Sequence, residues 1–153
     1  LGQAVGMALA AKMDGATYTV YPFLSDGEHQ CGATWEAALA AARYKLGNII
    51  ATLDRNGVQI GGSTEDILPL APLREKYEAF GWQVLEVDGH DISMLLDAYA
   101  TAKENTDTPT MLIAHTTMGK GVPEIEGDYT WHGKAPSREE AEQWIAALTI
   151  PEL

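Results

Sequence analysis

The sequence predicts an α/β domain in which a doubly wound, mostly parallel sheet carries helices on both faces. Two observations lead to this prediction. Strand-like and helix-like segments alternate along the chain, which is typical of strand-helix-strand units. The strand candidates are continuous apolar runs without polar alternation, and such runs indicate parallel strands covered on both faces. We expect a single domain over residues 1–153.

The first half of the chain contains two predicted strands and the helix between them. The chain opens inside a helical pattern, LGQAVGMALAAKMDG. Residues 17–24 are rich in β-branched and aromatic side chains, which favours a strand. The alanine-rich residues 35–45 predict a crossover helix, and residues 48–53 predict the second strand.

The second half repeats this alternation. Residues 72–80 begin with a proline that suits a first helical turn, and residues 82–87 predict a third strand. Residues 92–103 have the spacing of an amphipathic helix, and residues 110–115 form the last apolar strand.

Ser137 is a suitable N-cap for a final helix at residues 138–148. Two long irregular stretches, residues 55–70 and 118–137, lie between the predicted elements. Long loops in a compact domain are usually functional, so we expect the functional residues there.

Composition and charge restrict the partners of the protein. The formal net charge of −12 leaves no basic face for a phosphate backbone, so nucleic acid is a poor partner. The single cysteine, Cys31, cannot form an internal disulfide, and we expect a reducing, cytoplasmic environment. No apolar run approaches the ~20 residues of a membrane helix, so we expect no membrane span.

Polar residues follow the first two predicted strands, where ligands of open α/β sheets bind. Asp26 and Asn56 are 30 positions apart, which suits one crossover helix between two neighbouring strand ends. A carboxylate, an amide and a backbone carbonyl after Asn56 are hard oxygen ligands that suit Mg²⁺. Gly27 would let a backbone N–H approach a diphosphate that shares the metal.

The motifs together resemble those of a known family. SDG followed by DRN is similar to the thiamin-diphosphate signature, which usually reads Gly-Asp-Gly with an asparagine at a similar distance. The stretch EHQCGATWEAALAAARYKLGNIIATLDRNGVQIGG, followed by VDGHD, AHTTMGKG and WHGKAPS, resembles the cofactor-diphosphate domain of transketolase over nearly the whole chain. The resemblance implies the thiamin-diphosphate-binding fold with thiamin diphosphate and Mg²⁺ as cofactors.

The resemblance implies a metal and diphosphate site at four positions. Asp26 and Asn56 would bind Mg²⁺ through their side chains, and Val58 would bind it through its carbonyl oxygen. The N–H of Gly27 would contact the diphosphate.

Five further positions match family residues near the cofactor or substrate. Leu1, Ile60 and Met118 would lie near the cofactor rings. His132 matches a histidine that reaches both the diphosphate and the reacting substrate, and it is our candidate catalytic residue. Lys134 resembles a lysine that neutralises phosphate.

The resemblance implies transfer of a two-carbon ketol unit between sugar phosphates, as in the pentose phosphate pathway. The family's preceding segment with active-site histidines is not in this sequence, and neither is its pyrimidine-binding domain. We therefore expect the N-terminal subunit of a split transketolase, lacking an N-terminal segment and active only with a pyrimidine-binding C-terminal subunit. Because the family holds each cofactor between two subunits, we expect a dimer of this chain and a heterotetramer with the partner.

Three positions depart from the family pattern, and two alternative functions stay open. Ser25 stands where the first glycine is usual, Cys31 where an interface glutamate is usual, and Met118 where lysine is frequent. A catalytically inactive cofactor-binding or assembly subunit is one alternative. Another thiamin-diphosphate enzyme, deoxyxylulose-phosphate synthase or a 2-oxo acid dehydrogenase, is the other. His132 could also be a surface-loop histidine, and His29 has no role that follows from the sequence.

Overall fold

Four parallel strands form one sheet in the computed structural model, which describes residues 1–148. The predicted domain also includes residues 149–153, which lie outside the described residues. The sheet strands are β1 Phe23–Ser25, β2 Ile50–Arg55, β5 Gln83–Asp88 and β6 Thr110–His115, and their order in the sheet is β1-β2-β6-β5. A separate antiparallel hairpin pairs β3 Val58–Gln59 with β4 Gly62–Ser63. The helices are α1 Gly2–Asp14, α2 Gly32–Arg43, α3 Thr64–Ile67, α4 Leu73–Ala79, α5 Ile92–Glu104 and α6 Arg138–Ala147, with short 3-10 helices at Gly27–Gln30 and Tyr129–Trp131.

Strand β6 divides the core between the two faces of the sheet. Its side chains alternate, because successive residues of a strand point to opposite faces. Met111 and Ile113 join the larger core, which is built with α1, α2 and α4. Leu112 and Ala114 pack with Ala98 of α5 on the other face. The predicted doubly wound, parallel α/β sheet is confirmed.

Strand β1 is shorter than the predicted residues 17–24. Its backbone pairing with β2 begins at Val20, which bridges Ile49, but the strand itself starts only at Phe23. Pro22 lies between them and has no N–H to donate, which interrupts the ladder. The apolar composition therefore located the strand but not its start.

The prediction of an irregular stretch over residues 55–70 was wrong. Strand β2 runs to Arg55, and the hairpin and α3 follow it. Strands of two residues are too short for a pattern of hydrophobicity to reveal. Gly57 permits the turn into the hairpin, since its φ of 77° is one that side-chain-bearing residues rarely adopt.

The helix ends follow the local sequence closely. Ser137 Oγ accepts a hydrogen bond from Glu140 N at 3.2 Å, and Glu140 Oε2 accepts one from Ser137 N at 2.7 Å. These two bonds form the capping box that begins α6, as the serine predicted. Within residues 1–148, none of the helices is long and apolar enough to cross a membrane.

Replacing Leu53 with alanine is expected to lower the free energy of unfolding by about 2–5 kcal/mol, because a buried leucine leaves a cavity. Leu53 is fully buried in β2. The matched control is Leu96→Ala on α5, where the side chain is 65% exposed and the change should stay within about 0.5 kcal/mol. Urea unfolding of both variants measures the difference, and equal losses would contradict the assignment of the core.

Candidate functional site

The ends of β1 and β2 bring the two predicted ligand residues together. These neighbouring parallel strands pair with Ser25 opposite Asp54. The chain then turns after each strand, and Gly57 N donates to Asp26 Oδ2 at 2.6 Å. Asp26 thus lies beside the turn that carries Asn56, and α2 makes the connection between the strands, as the 30-residue spacing predicted.

Asp26 is a buried carboxylate with one oxygen that has no partner. Its side chain is fully buried, and its Oδ2 also contacts Arg55 Nη1 at 3.1 Å. Among residues 1–148, Asp26 Oδ1 is the one buried side-chain oxygen or nitrogen without a hydrogen bond. Burial raises the pKa of Asp26, an effect that the Gly57 N–H and the Arg55 guanidinium only partly oppose. An unpaired buried carboxylate oxygen is what a cation site provides.

Arg55 is a member of the site that the sequence analysis did not identify. Its guanidinium also donates to Thr64 Oγ1 at 2.9 Å and to Glu65 Oε1 at 2.7 Å. Thr64 N in turn donates to the Gly57 carbonyl at 2.9 Å. Arg55 therefore connects the Asp26 loop to α3, and its guanidinium offsets the negative charge of Asp26. The sequence feature that could have identified Arg55 is its position in the DRN motif, directly before Asn56.

Asp54 fixes the orientation of the Asn56 amide. Asn56 Nδ2 donates to Asp54 Oδ2 at 3.1 Å, and Asn56 Oδ1 accepts from Val58 N at 3.0 Å. The second oxygen of Asp54 accepts from the Thr116 hydroxyl. Because an ionised carboxylate can only accept, Asp54 directs the NH₂ group toward itself and leaves the Asn56 oxygen on the other side. That oxygen keeps a second lone pair for a ligand.

A cavity of about 500 Å³ opens beside Asn56 on the α5 face of the sheet. Met118, Tyr99 and His90 contribute to its wall. His90 Nε2 accepts from Thr117 N at 2.8 Å, which joins the VDGHD loop to the loop that carries Met118. His90 directly precedes Asp91, the N-cap of α5.

Three other predicted positions surround the strand ends less closely. Gly27 faces β3, since a Cβ built on it would lie 3.7 Å from Gln59 Cβ. Leu1 is half-buried in a groove that Glu28 also lines. Ile60 is 78% exposed at the tip of the hairpin.

The WHGKAP loop reaches the same edge of the molecule through its first residues. The 3-10 helix Tyr129–Trp131 lies against β4 of the hairpin that follows Asn56. His132 comes directly after it and is exposed, as is Lys134. Lys134 Nζ lies 3.7 Å from the centroid of the Trp131 ring, so a cation–π contact holds the lysine on this loop.

The family model described as "Transketolase, thiamine diphosphate binding domain" matches residues 1–150. The chain belongs to this family. It is 43% identical over 149 residues to one of the named subunits of an apulose-4-phosphate transketolase from Phocaeicola vulgatus, covering 97% of this chain and 53% of that protein. Over 145 residues it is 45% identical to the protein of the same name from Actinobacillus succinogenes, covering 95% and 52%. The chain thus spans about half the length of these relatives.

Solved transketolases share the fold of this domain. The structure of transketolase from Campylobacter jejuni superposes with a TM-score of 0.79 at 34% identity, covering 84% of this chain and 22% of that one. A transketolase from Pichia stipitis gives 0.78 at 28% identity, covering 97% and 27%. The predicted thiamin-diphosphate-binding fold and the family resemblance are both confirmed.

Stability of the metal-free protein should depend on pH through Asp26. Burial raises its pKa above the value of about 3.9 in the unfolded chain, so between the two values the folded state holds a proton that the unfolded state has lost. The contribution of Asp26 to the free energy of unfolding therefore falls as pH rises through this window, and it stays low above it. Urea unfolding of the wild-type protein and of Asp26→Asn, both in the presence of a chelator and at a series of pH values, measures this contribution.

The wild-type protein should lose stability relative to Asp26→Asn as pH rises across that window. If the wild-type protein instead gains stability relative to Asp26→Asn as pH rises, Arg55 and Gly57 outweigh burial at this carboxylate.

Proposed function

We propose that this chain supplies the thiamin-diphosphate and Mg²⁺ site of a transketolase divided between two subunits. The observation that supports this proposal best is the unpartnered, buried Oδ1 of Asp26 beside the Asn56 turn. Family membership makes thiamin diphosphate the ligand class, and the oxygen donors at the strand ends are the type that Mg²⁺ prefers.

In this proposal three residues hold the metal. Asp26 contributes Oδ1, Asn56 its amide oxygen and Val58 its backbone carbonyl, which leaves positions for water and diphosphate oxygens. Within residues 1–148, no group of three or more histidine, cysteine or carboxylate side chains is placed to hold a metal. A cation at this site would combine the Asp26 carboxylate with the uncharged oxygens of Asn56 and Val58, and Gly27 N–H would contact the diphosphate.

The other predicted positions are proposed to orient the cofactor and substrate. Thiamin diphosphate, when bound, supplies the electron sink for breaking and forming a carbon–carbon bond of a ketose. Met118, Leu1 and Ile60 would contact its rings. His132 would bind the diphosphate and the reacting substrate, and Lys134 would offset phosphate charge in a protein of net charge −12.

We also propose that a second polypeptide completes the site. The relatives in Phocaeicola vulgatus and Actinobacillus succinogenes are each named as one subunit of their enzyme, which supports a partner chain. In this proposal the partner chain binds the pyrimidine ring. A dimer of this chain, and a heterotetramer with the partner, follow from a cofactor held between subunits. Sugar phosphates are the proposed substrates. The pentose phosphate pathway stays a prediction, since one relative is named for 6-deoxy-6-sulfo-D-fructose.

Asp26→Asn is expected to weaken Mg²⁺-dependent binding of thiamin diphosphate by at least about 100-fold. Residues that only hydrogen-bond to metal ligands already change metal affinity by about 10- to 100-fold when they are mutated. Asp26 would be a ligand itself, and the only charged one. Isothermal titration calorimetry of the protein with its partner chain measures the affinity. Asp66→Asn, an exposed acidic residue of α3, is the matched control. Equal affinities of the two variants would remove Asp26 from the metal site.

The assembled protein should transfer a two-carbon ketol unit from a ketose phosphate to an aldose phosphate without releasing carbon dioxide. Product analysis after mixing both chains, Mg²⁺ and thiamin diphosphate tests this, and neither chain should give product without the other. Carbon dioxide from pyruvate would instead support another thiamin-diphosphate enzyme. Cofactor binding without turnover of either substrate would support a role in assembly.

A further inference from the structure

His29 holds the turn that contains Asp26 through two contacts with backbone carbonyl groups. The backbone N–H of His29 donates to the Asp26 carbonyl at 2.9 Å, and His29 Nδ1 lies 2.8 Å from the Ser25 carbonyl oxygen. One residue thus holds the carbonyl groups of the two peptide units that flank the Cα of Asp26. His29 is only 1% exposed, so water does not compete for these bonds.

Tyr77 anchors the other side of the same imidazole ring. Its hydroxyl oxygen lies 2.7 Å from His29 Nε2, and Tyr77 is fully buried in α4. The Ser25 carbonyl can only accept, so Nδ1 must carry a proton and donate it. Burial lowers the pKa of His29, which favours the neutral ring, and Nε2 then accepts from the Tyr77 hydroxyl.

The charged groups around this ring are few. Asp26 and Glu28 are the carboxylates whose charge acts on His29, and both belong to the same loop. The opposite side is aromatic: Trp35 Nε1 donates to the His29 carbonyl at 2.9 Å, and the ring centroids of His29 and Trp35 are 5.7 Å apart. The histidine is therefore held by directed hydrogen bonds inside an apolar cluster, where a lost partner is not replaced by water.

We propose that His29 and Tyr77 are positioning residues for the metal site, and that the chain of contacts Ser25–His29–Tyr77 aims Asp26 Oδ1 at the cation. This inference rests on the proposed function, since it assumes that Asp26 holds a metal. Asp26 lies on a short turn next to Gly27; Gly57 N and Arg55 contact its Oδ2, and its Oδ1 accepts no hydrogen bond. The position of Oδ1 therefore also depends on the backbone of the turn, which His29 connects to Tyr77 of α4.

Tyr77→Phe tests the proposal because it removes one hydroxyl and keeps the ring. We expect Mg²⁺-dependent affinity for thiamin diphosphate to fall about 10-fold or more, in the range found for residues that orient metal ligands. The matched control is Trp82→Phe, which removes a buried bond from the same aromatic cluster: Trp82 Nε1 donates to Ala38 O at 2.9 Å, and its ring lies 5.3 Å from Tyr77. Its affinity should stay within about twofold of wild type, since no link to Asp26 is broken.

Two variants of His29 separate its bonds. His29→Asn keeps a donor near the Nδ1 position for the Ser25 carbonyl but cannot reach the Tyr77 hydroxyl. His29→Gln keeps a polar group near the Nε2 position for Tyr77 but loses the hydrogen bond to the Ser25 carbonyl. We expect His29→Gln to lose the most affinity, because its contact with the Asp26 turn is cut directly.

Calorimetry of each variant with the partner chain, Mg²⁺ and thiamin diphosphate, alongside urea unfolding, gives affinity and stability separately. Tyr77→Phe should bind more weakly than Trp82→Phe, although Trp82→Phe removes more buried side-chain volume and is expected to lose more stability. If both bind alike, the pair serves only the core and the inference is wrong. If the wild-type protein itself does not bind, the proposed function fails and the inference fails with it.

Discussion

The parallel pairing of β1 with β2 is the contact on which the candidate site depends. Its register places Ser25 opposite Asp54, and only then does the Gly57 N–H reach the Asp26 carboxylate at 2.6 Å. A slip of one residue would move that donor by about 3.3 Å, beyond the range of a hydrogen bond. Helix α2 joins the two strands, and its alanine-rich face packs in the larger core, so the hydrophobic contacts that stabilise the sheet also hold the two strand ends together.

Asp26 combines two opposing requirements. Its burial is unfavourable for a carboxylate, and folded proteins leave few buried polar atoms without a partner. Arg55 and Gly57 compensate for one oxygen only, which leaves the other free toward the turn of Asn56. A buried oxygen without a partner lowers stability, and such local costs are expected where a protein binds a ligand, because the ligand supplies the missing partner.

The departures from the family pattern have different structural consequences. Ser25 does not need the conformational freedom of glycine, since Lys45 is the one non-glycine residue with positive φ within residues 1–148. Its hydroxyl instead accepts from Glu28 N at 3.4 Å and supports the turn. Cys31 is exposed at the start of α2, where it offers no carboxylate. Met118 adds an apolar side chain to the wall of the cavity beside Asn56.

Local patterns in the sequence were enough to predict the main elements and the spacing of the site. Apolar runs located the sheet strands, Ser137 located the start of α6, and the distance from Asp26 to Asn56 indicated neighbouring strand ends. Each of these signals lies within one element or one crossover. The partners that complete the site come from tertiary packing: His29 meets Tyr77 across 48 residues, and Asp54 meets Thr116 across 62. These contacts depend on the order β1-β2-β6-β5 and on the packing of α4, which no local pattern of residues encodes.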